Sequence, residues 1–420
     1  MGEFFALFAK REIRLYNEKK YIKFVKICII TNLYPPYARG GAEQVVHKIV
    51  EELTSLGHSL VIITLTPKMA EKETQGNVTI YRIHPRNLFF YTDAHHHSFF
   101  ARFLWHVVDI FHFSTRNKIQ KILQQEQPNV VHTHNLMGLG FLIPRLIKKM
   151  HLRHIHTVHD VQLVEPSGII LKQHEHSYRY TGLPTRIYTA IMRLLFGSPQ
   201  VVISPSQFLL QFYEERKFFQ NSHRIVMRNP ITLPASLHEE TKNTVFTFLY
   251  VGQIEEHKGI HFLVQSFLEF AQKNRDCELH IVGSGSSLEV LQKQAAHEPR
   301  IVFYGKVERV RLPEFFARSH ITIVPSLCYE NSPTVIFESL SFAVPVLASN
   351  IEGIAELIRE GENGLTFVAG DTLSLEQKLQ WCIEHPHEVK IMGQRGKDTV
   401  LNFFKEDYLA QLVQIYEGDT

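Results

Sequence analysis

The sequence predicts an α/β protein made of two consecutive doubly wound domains. Three observations carry this. Strand-like apolar runs alternate with helix-like periodic segments along nearly the whole chain, the pattern of βαβ units and parallel sheets. The alternation is interrupted once, by the polar, two-proline stretch NPITLPASLHEETKNT at Asn229–Thr244. At 420 residues the chain is long for one domain. The expected organisation is an N-terminal extension over 1–23, a first Rossmann-like domain over 24–230, a linker over 231–244, a second over 245–400 and a closing helix over 401–420.

The elements follow in order. Phe24–Thr31 is an apolar run ending in a Pro/Gly-rich loop, and reads as the first strand. Val45, Val46, Ile49, Val50, Leu53 and Leu56 then recur at helical spacing, with Gly57 placed as a C-cap glycine. Strands are expected at Ser59–Leu65, Val78–Ile83, Asn129–His134, His154–Val158, Val201–Ser204 and Ile225–Arg228, with a helix near Gly138–Met150. Ser206 is placed to N-cap the helix after the Val201 strand. Beyond the linker, strands are expected at Phe246–Val251, Glu278–Val282, Ile301–Tyr304, Ile321–Val324 and Val346–Ala348.

Composition narrows the class. With 44% hydrophobic and 21% charged residues, this is a globular chain and not a disordered one. A net charge of +3 gives no nucleic-acid signature, so no nucleic-acid partner is expected. The 25 histidines should make the charge sensitive to mild acid, since free imidazole titrates near ~6.5. Cys28, Cys277, Cys328 and Cys382 are far apart and lack CxxC spacing; they read as reduced core thiols of a cytoplasmic protein. No run reaches the roughly 18 apolar residues of a membrane span. The start, MGEFFALFAKREIRLYNEKKYIK, reads as a solvated extension; the alternative is a basic amphipathic arm on an anionic membrane.

One segment breaks the rhythm. Arg86–Phe113 is crowded with Phe, Trp and His. It is either a helix and loop over an acceptor site or against lipid, or an ordinary helix buried on one side. The second reading is the simpler, because aromatic stripes are more often core.

Three stretches carry chemistry. The first strand runs into NLYPPYARGG, whose Gly40 and Gly41 let backbone approach an anion or a sugar hydroxyl where a helix starts near Ala42. This loop is not GxGxxG, which counts against a standard dinucleotide fingerprint. The second domain opens with YVGQIEEHKGI, placing Lys258 beside a helix start, a good diphosphate partner. Then comes LCYENSPTVIFESL: Ser332 reads as N-cap, Pro333 as the first helical residue, Glu330 lies in the loop before, and Glu338 about a turn and a half inside. Carboxylates repel phosphate, so these two should accept hydrogen bonds from hydroxyls on either side of a diphosphate.

The combination ITNLYPPYARGGAE, VHTHN, HTVHD, SPSQF, YVGQIEEHKG, HIVGSGS, VFYGKV, YENSPTVIFESL and GENGLTF, in this order from about residue 26 to 370, resembles the retaining family-four glycosyltransferases of the GT-B fold. The resemblance implies two Rossmann-like domains facing a central cleft. It implies that Glu330 contacts the donor sugar near the reacting carbon, that Glu338 binds the ribose, and that Lys258 binds the diphosphate. His159 matches a first-domain histidine beside the donor sugar, and Val307 a position that meets the base. Gly40, Gly41, Gly252, Gln253, Ser332 and the backbone of Thr334 and Val335 match donor-binding positions. Gln253 departs from the pattern, standing where the family commonly has Arg; it can hydrogen-bond a phosphate but brings no charge, leaving Lys258 or Arg39 to compensate. Ala343 replaces a frequent glycine, a small change.

No Asp-x-Asp pattern occurs in the sequence. The histidine pairs His132/His134 and His174/His176 and the run His95–His97 have no cysteine or carboxylate framework, so no metal is expected. The reading is an enzyme that moves a sugar from a nucleoside-diphosphate sugar, its co-substrate, to a hydroxyl of a sugar or lipid-linked acceptor, with no further cofactor. The aromatic segment and the basic N-terminus suggest a peripheral place at the inner face of a membrane, as in polysaccharide or glycolipid assembly. Two alternatives stay open: a GT-B sugar-nucleotide epimerase, and a non-catalytic sugar-nucleotide-binding module, which Gln253 encourages.

Overall fold

The computed structural model describes residues 24–37, 40–230, 242–405 and 408–418. The N-terminal arm, Arg39 and most of the expected linker lie outside the described residues.

The first sheet contains β1 (Lys26–Ile30), β2 (Ser59–Leu65), β3 (Glu71–Gln75), β4 (Val78–Ile83), β5 (Val130–Thr133), β6 (Arg153–Thr157), β7 (Val201–Ser204) and β8 (His223–Val226). Its order is β3-β4-β2-β1-β5-β6-β7-β8, parallel except for the β3–β4 pair. The second sheet contains β9 (Phe246–Val251), β10 (Cys277–Val282), β11 (Ile301–Gly305), β12 (Ile321–Val324), β13 (Val346–Ser349) and β14 (Gly364–Phe367), in the order β11-β10-β9-β12-β13-β14, all parallel. Central strands of both sheets are buried on both faces, which is why they read as unbroken apolar runs. Among the parallel strands of each sheet the chain order reverses at one place, between β1 and β5 and between β9 and β12. In open α/β sheets, ligands bind outside the carboxyl ends of the strands at such a switch point.

Several expectations need correction. β3, sequence EKETQ, is fully exposed and polar, and was not anticipated; neither was β14. The helix expected near Gly138–Met150 starts only at Ile143, because Gly138 and Gly140 take positive φ in a tight turn against Leu65 and His112. Ser206 does cap its helix, accepting from Leu209 N–H at 3.1 Å. All four cysteines are free and buried. The aromatic segment forms a 3-10 turn at Tyr91–His96 and a helix at Phe99–Ile110, but that helix buries only Trp105, Asp109 and Ile110. Its phenylalanines face outward: Phe99 is 78% exposed and Phe100 68%. The helix is thus buried on one side, as the simpler reading expects, but through Trp105, Asp109 and Ile110 and not through its phenylalanines.

The histidines also behave differently from free imidazoles. His132, His134, His154 and His156 are almost wholly buried on β5, β6 and the turn after β5. His132 bonds Tyr416 Oη and Thr157 Oγ1, each at 2.7 Å, while Thr133 Oγ1 meets His154 and His156 at 2.8 and 2.9 Å. Burial pushes all four below the usual imidazole range, His132 and His154 to about 3.

The helix Pro386–Lys405 packs its Val400 in the second domain, and the helix Tyr408–Glu417 buries Leu409, Leu412 and Tyr416 in the core of the first. The chain thus returns to the first domain near its end. Among the described residues no helix is long and apolar enough to cross a membrane.

Candidate functional site

The two switch points face each other. At the carboxyl end of β9, Gly259 takes φ +75°, and a Cβ there would lie 1.8 Å from the Pro325 carbonyl oxygen. Only glycine permits this approach, which packs the turn bearing Lys258 against the segment following β12. Lys258 Nζ then reaches Glu330 Oε1 at 2.6 Å, and Ser326 Oγ donates to the same oxygen at 2.9 Å. Burial would lower the Lys258 ammonium, but the Glu330 carboxylate overrides it and holds the pKa above its ordinary value. The lysine is a cation, fixed on the residue expected to meet the sugar.

The Glu330 loop is also held from behind. A Cβ on Gly353 would stand 2.1 Å from the Glu330 carbonyl oxygen and 2.5 Å from that of Asn331. The turn at Glu352–Ala355 therefore presses directly on the loop backbone. Nothing in the local sequence pattern singled out Gly353.

The helix after this loop runs Thr334–Ser341, with Pro333 as its N-cap. The expected start is thus displaced by one residue. Pro333 has ψ 119°, so it is not helical, and Ser332 makes no capping bond. Instead Ser332 Oγ and Asn331 Oδ1 are buried without a protein partner, both beside Glu330 and positioned to bond a bound hydroxyl. The leading N–H groups, those of Thr334 and Val335, have no acceptor within the helix and suit a phosphate. Glu338 bonds the Arg309 guanidinium; burial pushes its carboxyl up and Arg309 pulls it back. Val307 and Val335 flank one small apolar cluster with Leu249, Val282 and Phe316, so the expected base position is an apolar wall.

From the first domain, His159 comes into contact with this loop: Asn331 Nδ2 donates to its carbonyl oxygen at 2.7 Å. Its ring Nε2 meets His134 Nδ1 at 2.9 Å, and burial lowers its pKa to about 4. His159 is therefore a neutral hydrogen-bonding group near pH 7. Asp160 is raised to about 6, by burial first and Glu43 after it. The glycine loop also arrives: a Cβ on Gly41 would sit 4.0 Å from Thr334 Cγ2, and one on Gly40 3.9 Å from Gln253 Nε2. Gly252 donates its N–H to Val282 O, and Tyr250 Oη bonds Gln253 O at 2.6 Å, fixing this turn.

One expectation changes. The Gly40 N–H is not available to an anion, because Glu43 Oε2 accepts it at 2.8 Å. A carboxylate standing there makes the loop a better partner for hydroxyls than for phosphate. Glu43 and Asp160 are site neighbours that the sequence did not single out, although they lie in the quoted GGAE and HTVHD stretches; His134, weighed there only as a metal ligand, is instead the partner of His159. Cross-domain bonds hold the cleft: Lys172 pairs with Glu352, Tyr329 Oη with Glu175, Lys172 N–H with Leu327 O at 2.9 Å, and Glu356 with the N–H groups of Gln207 and Phe208. Among the described residues no three His, Cys, Asp or Glu side chains gather as a metal-ligating group.

Two Rossmann-like domains meeting across their switch points are the GT-B architecture of glycosyltransferases. The family model for Glycosyltransferase Family 4 matches residues 39–233, and that for Glycosyl transferases group 1 matches residues 236–399. An uncharacterized 42.6 kDa protein in the cps region of Klebsiella pneumoniae is 23% identical over 94% of this chain and 100% of its own length. Sucrose-phosphate synthase from Thermosynechococcus elongatus superposes with a TM-score of 0.71 at 17% identity, over 94% of this chain and 98% of that one. Anabaena Alr3699/HepE in complex with UDP-glucose superposes with a TM-score of 0.66 at 14% identity, over 94% and 100%. The chain belongs to the GT-B glycosyltransferases of the family-four type, and it is an enzyme of that class.

Proposed function

We propose that the protein transfers a sugar from a nucleoside-diphosphate sugar to an acceptor hydroxyl with retention of anomeric configuration, in polysaccharide or glycolipid assembly at the inner face of a membrane. The observation that carries this reading is the convergence of Lys258, Glu330 and the His159 backbone at the facing switch points. In this reading Lys258 and the N–H groups of Thr334 and Val335 take the diphosphate, Glu330 the sugar, Glu338 the ribose and the Val307 wall the base. The UDP-glucose bound by the Anabaena neighbour supports a nucleotide-sugar donor. Gln253 adds a neutral donor group beside Gly40.

The acceptor oxygen attacks the anomeric carbon on the face from which the diphosphate departs. A carbon–oxygen bond to the acceptor forms as the bond to phosphate breaks, and the acceptor proton passes to a phosphate oxygen. Lys258 compensates the charge that develops on the leaving group, so this reading requires no metal. Closing the domains excludes water and so limits hydrolysis.

The test is a panel of UDP-, GDP- and ADP-sugars, screened by thermal shift and then by transfer to lipid-linked and free acceptors. One donor at about a hundred times its Kd should stabilise by roughly 2.7 kcal/mol. Formation of an epimerised nucleotide sugar without acceptor, or transfer unchanged in Glu330→Ala, would sink the proposal.

A further inference from the structure

The Phe99–Ile110 helix is turned inside out. Phe99, Phe100, Phe103, Leu104, Val107 and Val108 all face solvent. Their spacing, pairs repeating every four residues, places them on one stripe. The face turned inward carries Trp105 and the acid Asp109, whose carboxyl burial pushes up to about 8. A helix in water ordinarily does the reverse. The stripe continues through Phe111 and Phe113, 43% and 63% exposed. On the same side of the first sheet, sharing its core cluster, the Leu183–Phe196 helix exposes Leu183, Ile187 and Leu194. Contiguous apolar surface of this kind marks an interaction site.

The charge around it says what the partner is. The helices Phe99–Ile110, Phe113–Glu126, Ile143–Lys149 and Leu183–Phe196 all contribute to that cluster. Together they carry nine Lys or Arg, in a chain whose net charge is only +3. Their two acids are spent: Asp109 is buried, and Glu126 is held by Lys26 at 2.8 Å. A second copy of the chain would set cations against cations. The exposed acid of the adjoining Tyr91–His96 turn is Asp93, a single charge against nine cations. Phenylalanine with a large excess of arginine and lysine is the composition of a surface that lies in an anionic lipid interface. We infer that this face of the first domain docks on an anionic membrane.

Its position gives the docking a use. Asn32 Nδ2, just past β1, donates to Tyr91 Oη at 3.3 Å. Asp109 Oδ1 accepts the Gly138 N–H at 2.9 Å, on the turn that follows His134. The apolar stripe is thus fastened to the two loops that leave the first switch point. Docking would hold the mouth of the cleft at the lipid surface, where an acceptor carried on a lipid can enter. That use rests on the transfer reading above; the docking itself does not.

The experiment is co-sedimentation of the full chain, without donor, with vesicles of phosphatidylcholine alone or mixed with phosphatidylglycerol. The wild type should partition onto the mixed vesicles only, and less so as salt rises. Phe100→Glu/Phe103→Glu/Val107→Glu should lose at least about tenfold in partition with an unchanged melting curve, because these side chains are exposed. Equal partition of this variant would assign binding to another segment and overturn the inference. So would a wild type that ignores anionic vesicles, or one that dimerises through this face by light scattering. A second readout uses Phe100→Cys labelled with an environment-sensitive dye, selective because all four native cysteines are buried. Its emission should shift to the blue on mixed vesicles, and an unshifted spectrum overturns the inference. None of these readings involves sugar transfer, so failure here and failure of the transfer assignment are separate results.

Discussion

Lys258 Nζ lies 2.6 Å from Glu330 Oε1, so the expected diphosphate cation and the expected sugar-binding carboxylate are bonded to each other. Each determines the other's state. The carboxylate keeps the ammonium charged against burial, and the ammonium holds the carboxylate in position. Glu330→Ala should therefore do two things. Transfer should fall by about a hundredfold or more in kcat, the scale for losing one electrostatic contact to a transition state. Burial of Lys258 would then be opposed only by its smaller interaction with Cys328, so its pKa should fall from its raised value, readable by NMR after isotopic methylation. Lysine titration unchanged from the wild type would show that the pair is not coupled as described. Lys258→Met should also lower kcat by about a hundredfold or more, because Lys258 compensates charge that develops on the leaving group, and should raise donor KM besides.

Gly353 presses within 2.1 Å, measured from a Cβ built there, of the Glu330 carbonyl oxygen. Gly353→Ala must push the loop or the Glu352–Ala355 turn aside. A displacement of about 1 Å at a positioning residue costs roughly a hundredfold in rate. We expect that loss in kcat with donor affinity, read by calorimetry, changed far less. Gly361→Ala has nothing within 4 Å of its Cβ but is strained by φ +75°; it controls for the general cost of replacing a glycine, and should lower the melting temperature while retaining transfer.

Why some of this was legible in the sequence, and some not, follows from the physics of each element. β2, β7, β9 and β12 fall on the residues expected, because parallel strands buried on both faces must be continuous apolar runs; β4, only half buried, also falls there, marked by its β-branched and aromatic residues. β3 gave no such signal, since all five of its residues face water and its pairing with β4 is set by main-chain bonds and the Arg82–Glu71 contact. The Phe99–Ile110 stripe was visible as a period, but periodicity shows that a helix has two faces and not which one turns inward. The facing of Gly41 and Thr334, the hold of Gly353 on Glu330 and the capture of the Gly40 N–H by Glu43 are contacts made by folding. The motif stretches carried the residues and left their partners unstated.

Glu338 presents a different balance from Glu330. Its carboxyl is raised by burial, and the Arg309 guanidinium is the charge that lowers it. Arg309→Ala should raise the Glu338 pKa further, so that donor binding weakens at pH values just above the ordinary carboxylate range while persisting at pH 8. Glu338→Ala should raise donor KM by roughly tenfold at every pH, the cost of one lost hydroxyl contact of about 1.4 kcal/mol. Calorimetric Kd against pH for the two variants separates these. Parallel curves would show that Arg309 does not control this carboxylate.

The buried histidines set the acid limit of the fold. His132, His134, His154 and His156 have native pKa values far below that of free imidazole, because burial disfavours their charged form. As pH falls below about 6.5 the unfolded chain takes up protons at these four positions and the native chain does not. The stability they contribute is present above the unfolded pKa and declines on acidification, at about 1.4 kcal/mol per pH unit for each fully developed histidine. Asp109 works the other way. Its native pKa of about 8 lies above its unfolded value, so its contribution is present at low pH and is lost as pH rises towards 8. His159 joins the four histidines, while Asp160 and Glu338, both raised, side with Asp109; the lowered histidines outnumber the raised carboxyls, and the melting temperature should therefore fall between pH 6.5 and 4.5. His154→Gln/His156→Gln removes two of the four. It will lower stability near pH 7 by disturbing their bonds to Thr133, but its melting temperature should fall less steeply with acid. Equal slopes would mean that these imidazoles titrate alike in the folded and unfolded chain, contrary to their burial. His159 stays neutral down to about 4, so its own protonation should leave no inflection near 6.5 in kcat/KM, whereas a free imidazole at that position would produce one.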